Sequence, residues 1–199
     1  MASTDSTRDR IVAAAGAEFA GHGIAGARVD RIARAAQTSK ERVYAYFRSK
    51  EKLYAFVAAR ELAAAADAVH LDPADLPAYA GQLFDYFAAH PDRYRFIAWG
   101  RLELTGDVSD DPASALYRDA IRCKVERIRG AQEAGDLDAS WDPVDVLALV
   151  SQIAHTWLDQ GELSAVARCA AADPAPSARR DAVVRAVAAI FPPRAGEGS

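Results

Sequence analysis

Cysteine is scarce in this chain: Cys123 and Cys169 are the only two among 199 residues. They stand far apart in helical-looking sequence, with no spaced His or second Cys nearby, so neither a disulfide framework nor a zinc site is supported. Buried or half-buried free thiols in a reducing cytoplasm are the expectation. There are four histidines. His22, His70 and His90 fall at predicted helix ends, and His155 lies among Ile153, Trp157 and Leu158 as a packed or interface residue. No run approaches the ~18 consecutive apolar residues of a membrane span. Polar Met1–Arg10 lacks the basic-then-apolar order of a secretory signal. Gly-x-Ser-x-Gly, His-Glu-x-x-His and a phosphate loop are all missing, so no catalytic residue, metal or cofactor is assigned. Gly21–Gly26 matches GxGxxG in spelling, but it follows a helix rather than a strand and reads as a helix stop. Asp107, Asp110 and Asp111, like Asp136 and Asp138, read as solvated loops that want a further ligand before they could hold a cation.

Alternating β-branched runs are also absent, whereas apolar residues recur at three- and four-residue spacing almost throughout. With 51% hydrophobic and 26% charged residues, the chain reads as an all-α globular protein of about nine helices. The first is predicted over residues 6–20, with Ile11, Ala15 and Phe19 one turn apart and Gly21 and Gly23 stopping it. Short helices follow over 28–36 and 40–47, separated by Gln37-Thr38-Ser39. Ser39 and Ser49 are placed to cap the third helix and a long fourth, 50–69. Pro91 and Asp142-Pro143 open later helices. The eighth is predicted to run from Pro143 to Gln160 or beyond, and the last over 177–191.

Charge is uneven. Residues 1–60 hold 11 Lys+Arg against 6 Asp+Glu, while the whole chain is at −4. A basic head on an acidic body suits a polyanion partner at one end only. From Arg28 to Lys52 there are eight basic residues against Asp30, Glu41 and Glu51. The helix at 40–47 keeps Val43 and Phe47 for the core and turns Lys40, Glu41, Arg42 and Ala45 outward, flanked by Tyr44 and Tyr46. A short rod of this kind fits the major groove. Its free N–H groups can meet phosphate, and an Arg can hold guanine O6 and N7. On pattern alone, a solvated face on an ordinary three-helix unit competes with this reading.

The stretch from Ile32 to Leu53 resembles the helix-turn-helix signature of the tetracycline-repressor (TetR) family. Ser39-Lys40, Tyr44, Tyr46-Phe47 and Ser49-Lys50 carry the likeness, and Ile11 to Gly23 is similar to that family's first helix. The resemblance implies a head at 1–48 that binds double-stranded operator DNA through Arg28, Ser39, Lys40, Arg42, Tyr44, Ala45, Tyr46 and Lys50. It also implies a helical ligand-binding and dimerisation body at 49–199. Three positions depart from the family pattern. Neither Ala27 nor Arg28 is the usual Thr or Ser cap, Gln37 replaces a frequent turn glycine, and Ala45 is small.

The resemblance further implies a cytoplasmic homodimer released from a palindrome by a small-molecule effector, with no membrane association. For a largely apolar effector the ring-rich middle offers Phe84, Phe87, Phe96, Trp99, Tyr117, Ile121, Ile153 and Trp157. Arg95 and Arg101 are available to an anionic group. For the dimer face the last two predicted helices offer Val146, Val150, Ile153, Val183, Val187 and Ile190, an apolar breadth beyond one packed face. A constitutive DNA-binding protein without effector is one alternative. A helical small-molecule binder with no DNA partner is another.

Overall fold

The computed structural model describes residues 2–103, 112–158 and 160–192. The acidic loop of Asp107, Asp110 and Asp111 lies outside them, as do the side chains of Arg101 and Tyr117. Ten α-helices and no strand occur among the described residues: α1 (Ala2–Gly26), α2 (Val29–Ala35), α3 (Lys40–Phe47), α4 (Lys50–Ala68), α5 (Leu76–Ala89), α6 (Pro91–Glu103), α7 (Pro112–Glu133), α8 (Pro143–His155), α9 (Gly161–Ala170) and α10 (Pro176–Ile190). The extra helix arises because the predicted eighth stops at His155. Thr156 and Leu158 donate to the carbonyls three residues back, tightening the chain into turns before α9. Gly23 (φ 69°) breaks α1 into two helical pieces. None of these helices is long and apolar enough to cross a membrane.

The described residues divide into two compact units, Met1–Ala64 with His90–Arg118, and Ala65–Ala89 with Asp119–Ser199. The first extends beyond the head expected at 1–48, because the head's core is completed from outside it. Ile11, Ala15 and Phe19 of α1, Ile32 of α2 and Val43 of α3 are almost wholly buried with Leu53, Tyr54 and Val57 of α4 and Phe96 of α6. Tyr54 stacks on Phe96 with ring centroids 4.5 Å apart and meets Phe19 edge-on at 5.2 Å. Its hydroxyl donates to the Phe96 carbonyl at 2.8 Å.

In the second unit α5 packs against α8 and α10, and those two also touch each other. Gly81 lets α5 approach closely: a Cβ there would lie 3.1 Å from Val184 Cγ2. Asp85 accepts from Arg180 Nε at 2.7 Å across the same pair. This packing corrects the expected dimer face. Val146, Val150, Val183 and Val187 are all buried within one chain, so their stripes turn inward. Ile153 is half-buried, whereas Leu149, Val144 and Ile190 are exposed. Both cysteines are exposed rather than buried, Cys169 on a helix that buries none of its residues.

Gly100 is the tightest point of the first unit. A Cβ there would collide with the Tyr54 hydroxyl, at the tip of a rigid, buried ring. Alanine normally stabilises a helix interior by about 0.8–1 kcal/mol over glycine. At this position the steric cost should outweigh that gain, and Gly100→Ala should destabilise the protein by about 1–2 kcal/mol net. Urea unfolding of the two proteins checks this, and an equal or raised midpoint would contradict the packing.

Candidate nucleic-acid interface

The helices α2 and α3 have seven and eight residues, too few to persist in water without the core beneath them. Their ends are tied locally. Ser39 Oγ accepts from the Arg42 N–H at 3.2 Å, and Ser49 Oγ accepts from Lys52 at 3.1 Å, so both expected caps form. At α2 the N-cap residue Arg28 contributes no side-chain bond. Glu18 of α1 takes over, with one carboxylate oxygen accepting the Arg28 N–H at 2.9 Å and Arg31 Nε at 2.6 Å. Burial would raise its pKa. The Arg31 and Arg28 hydrogen bonds, with the charges of Arg31 and His22, outweigh that and hold the carboxyl below its usual range. The far end of α2 is closed by Arg10, whose Nε donates to the Ala36 carbonyl at 3.0 Å.

The turn between α2 and α3 is a Schellman motif. The Thr38 N–H reaches the Ala33 carbonyl at 2.9 Å, the Gln37 N–H reaches Arg34 at 3.1 Å, and Gln37 has φ 52°. The left-handed conformation expected from the missing glycine is therefore present, carried by a glutamine. At the other end of α3, Arg48 has φ 62° and ψ −39°, and Ser49 N–H donates to the Phe47 carbonyl at 2.7 Å. That is a γ-turn with positive φ, a rare and strained conformation. These are the two non-glycine residues of positive φ among the described residues.

A concavity of about 400 Å³ opens between the start of α2, α3 and the start of α4, lined by Arg28, Asp30, Lys40, Tyr44, Arg48 and Lys50 among others. It brings together four of the eight residues proposed from sequence to meet DNA. Arg42 and Ala45 are exposed on α3, and Tyr46 is half-buried against Phe47. The cations are not equivalent. Lys40 pairs with Asp30 at 3.1 Å, and its hydrogen bond to that carboxylate raises its pKa. Lys50 Nζ lies 3.3 Å from each of the Ala25 and Ala27 carbonyls, so it braces the turn into α2. Arg31 is held by Glu18 and the Gly26 carbonyl. Arg28, Arg42 and Arg48 use their guanidinium groups on no hydrogen bond or ion pair among the described residues. Arg48, the Glu18 brace and Gln37's exposure were not singled out as site features from sequence.

The residues expected to line an effector site are placed individually. Phe84 and Phe87 are buried in the second unit, with Phe87 edge-on to buried His155 at 5.1 Å. Phe96 belongs to the head core, which is where its ring area goes. Trp99 is half-buried, its Nε1 is fully buried, and it has no hydrogen-bond partner among the described residues. Ile121 and Trp157 are half-buried, and Arg179 lies over the Trp157 ring at 5.0 Å. Arg95 is exposed and 3.8 Å from Asp92. No three metal-ligating side chains converge among the described residues.

An N-terminal three-helix unit with a short exposed basic helix, followed by an α-helical body, defines a helix-turn-helix regulator. Residues 11–57 match the bacterial regulatory proteins of the tetR family, and residues 75–188 match the tetracyclin repressor-like C-terminal domain. The HTH-type transcriptional repressor SCO4008 of Streptomyces coelicolor is 35% identical over 151 residues, 76% of this chain and 78% of the relative. A crystal structure of SCO4942 from Streptomyces coelicolor, assigned as a transcriptional regulator, is 61% identical with a TM-score of 0.81, covering 94% of this chain and 99% of that one. The flavonoid-responsive regulator FrrA shares the fold at 24% identity and a TM-score of 0.58, covering 96% of this chain and all of its own. The chain belongs to the TetR family. It is a transcriptional regulator with a repressor as a relative, in a family of DNA-binding regulators rather than enzymes.

Removing Glu18 should loosen the first unit. Glu18→Ala loses two hydrogen bonds to a carboxylate that is 10% exposed, an expected cost of about 1.5–3 kcal/mol at pH 7. The folded pKa lies below the ordinary glutamate value, so this stabilisation is full above that value and disappears as pH falls through the folded pKa. Melting curves of both proteins should converge in acid. A difference that stays constant from pH 7 to pH 3 would remove the carboxylate from this role.

Proposed function

We propose that this protein is a cytoplasmic, ligand-responsive repressor that binds a palindromic operator as a homodimer and is released by a small, mostly apolar effector. The observation that carries the DNA reading is the groove of Arg28, Lys40, Tyr44, Arg48 and Lys50 beside the exposed face of α3. On that face Arg42 has a guanidinium left unused among the described residues. Arg42 and Ala45 face base edges. Arg28, Ser39, Lys40, Tyr44, Tyr46 and Lys50 set the backbone register. The dimer face is carried by exposed Leu149 and half-buried Ile153 of α8, with exposed Ile190 of α10. A two-fold contact there would match a palindrome.

Wild-type protein should select a palindrome from random duplexes. Arg42→Ala should relax preference at one base pair per half-site, worth about 1–3 kcal/mol. Leu149→Asp with Ile190→Asp should sediment as the 21.3 kDa chain and lose two-half-site binding. A variant that stays dimeric would move the interface elsewhere, and an equal loss on all sequences would demote Arg42 to a phosphate contact.

The effector reading rests on α6. Its Trp99 N–H is a buried donor that a ligand acceptor would satisfy. Its Phe96 packs on α1 and α4 through Phe19 and Tyr54, so a shift of α6 reaches both ends of the head core. The effector must prefer the DNA-incompetent state, since equal affinity for both states shifts nothing. A panel of apolar metabolites followed by tryptophan emission and operator binding together should yield ligands that change both. Ligands that quench emission yet leave operator affinity untouched would separate binding from control, and would favour a constitutive binder.

A further inference from the structure

Among the described residues, the same helix-ending motif closes both α2 and α7. At the end of α7, Gly135 has φ 84°, its N–H reaches the Gln132 carbonyl at 3.1 Å, and the Asp136 N–H reaches Ala131 at 2.8 Å. At the end of α2 the corresponding bonds are 3.1 and 2.9 Å, but the left-handed residue is Gln37. Glycine adopts this conformation without steric cost, and any L side chain adopts it under strain. The second strained residue, Arg48, stands at the other end of α3. Strain in the described non-glycine backbone is therefore confined to the two ends of one eight-residue helix. Both residues are exposed, and neither side chain makes a hydrogen bond or ion pair among the described residues. Packing within the chain accounts for neither side chain. Arg48 also lines the basic groove with Arg28, Lys40 and Lys50.

We propose that Gln37 and Arg48 are operator contacts, kept at the cost of local strain because their side chains meet DNA. This deepens the DNA-binding reading and rests on it. Gln37 sits one turn ahead of Lys40, where a helix entering the major groove presents its first residues to base edges, and a glutamine amide can pair with adenine N6 and N7. Arg48 carries an unpaired charge at the rim of the groove, where it can meet a backbone phosphate.

The test uses full-length protein and the operator that the wild type selects. Gln37→Gly and Arg48→Gly should both melt at higher temperature than wild type. Arg48→Gly should bind every duplex roughly threefold to tenfold more weakly and lower the salt slope by about one, while Arg48→Lys keeps the slope. Gln37→Gly should lose roughly tenfold of its preference at one base pair and leave the slope alone. Arg42→Ala is the control. If it weakens selective binding while both glycine variants bind as wild type does, the proposal is overturned and the DNA-binding reading stands. Glycine variants that melt lower would overturn the strain on which it is built. A wild-type protein that selects no duplex would overturn the DNA-binding reading, and the proposal with it.

Discussion

Tyr54 reaches across from α4 to α6, gives its hydroxyl proton to the Phe96 carbonyl, and lays its ring between Phe96 and Phe19. The reading head depends on this contact. Helices of seven and eight residues do not persist alone. They need an apolar floor, and α1 by itself supplies only a single stripe. The aromatic triad extends that floor to α4 and α6, and Val43 and Phe47 of α3 are buried in the same cluster. Position 100 must then be glycine-sized, because the tip of the Tyr54 ring fills the space. The compact unit includes residues far beyond the helix-turn-helix for this reason, and Phe96 of α6 shares the cluster that buries Val43 and Phe47 of α3.

Charge in the head is sorted by the same geometry. Counted along the chain, the basic residues of 28–52 look like one positive face. In three dimensions they take different roles. Arg31 neutralises a nearly buried Glu18 that has replaced the missing N-cap of α2. Lys50 holds carbonyls at the end of α1. Lys40 is paired with Asp30, in an exposed contact that adds little stability. Arg28, Arg42 and Arg48 keep their donors available. Under the proposed function, Arg31 only positions the helix, Lys40 and Lys50 position it and also meet the DNA backbone, and the unpaired cations are given over to the nucleic acid.

Local chemistry was legible in the sequence and distant pairing was not. Ser39 and Ser49 act within three residues of themselves, so their caps could be read directly, as could Pro143 behind Asp142. Gln37 in place of a frequent turn glycine pointed to a left-handed residue, and φ there is 52°. Glu18, by contrast, acts on residues 10 and 13 positions away, and Tyr54 on a carbonyl 42 positions away. No periodicity encodes such partners. Phe96 looked available to a ligand because a ring's spacing states that it is apolar, not which neighbour covers it. The break after His155 carries no local mark, since no proline or glycine stands before Gly161.

Spacing also failed to say which way an apolar stripe faces, and α8 shows why. Val146, Val150 and Ala154 follow one another at four-residue steps and are buried against their own chain. Leu149 and Ile153 form a second row about 80° round the helix at 3.6 residues per turn. That row is exposed at Leu149 and only half-buried at Ile153. A hydrophobic count merges the rows into one broad face and assigns all of it to a partner. Burial separates them. Intrachain packing accounts for the first row, and the apolar surface left over belongs to the second. A second copy would have to cover Leu149 and Ile153, and could do so without displacing any valine of the core.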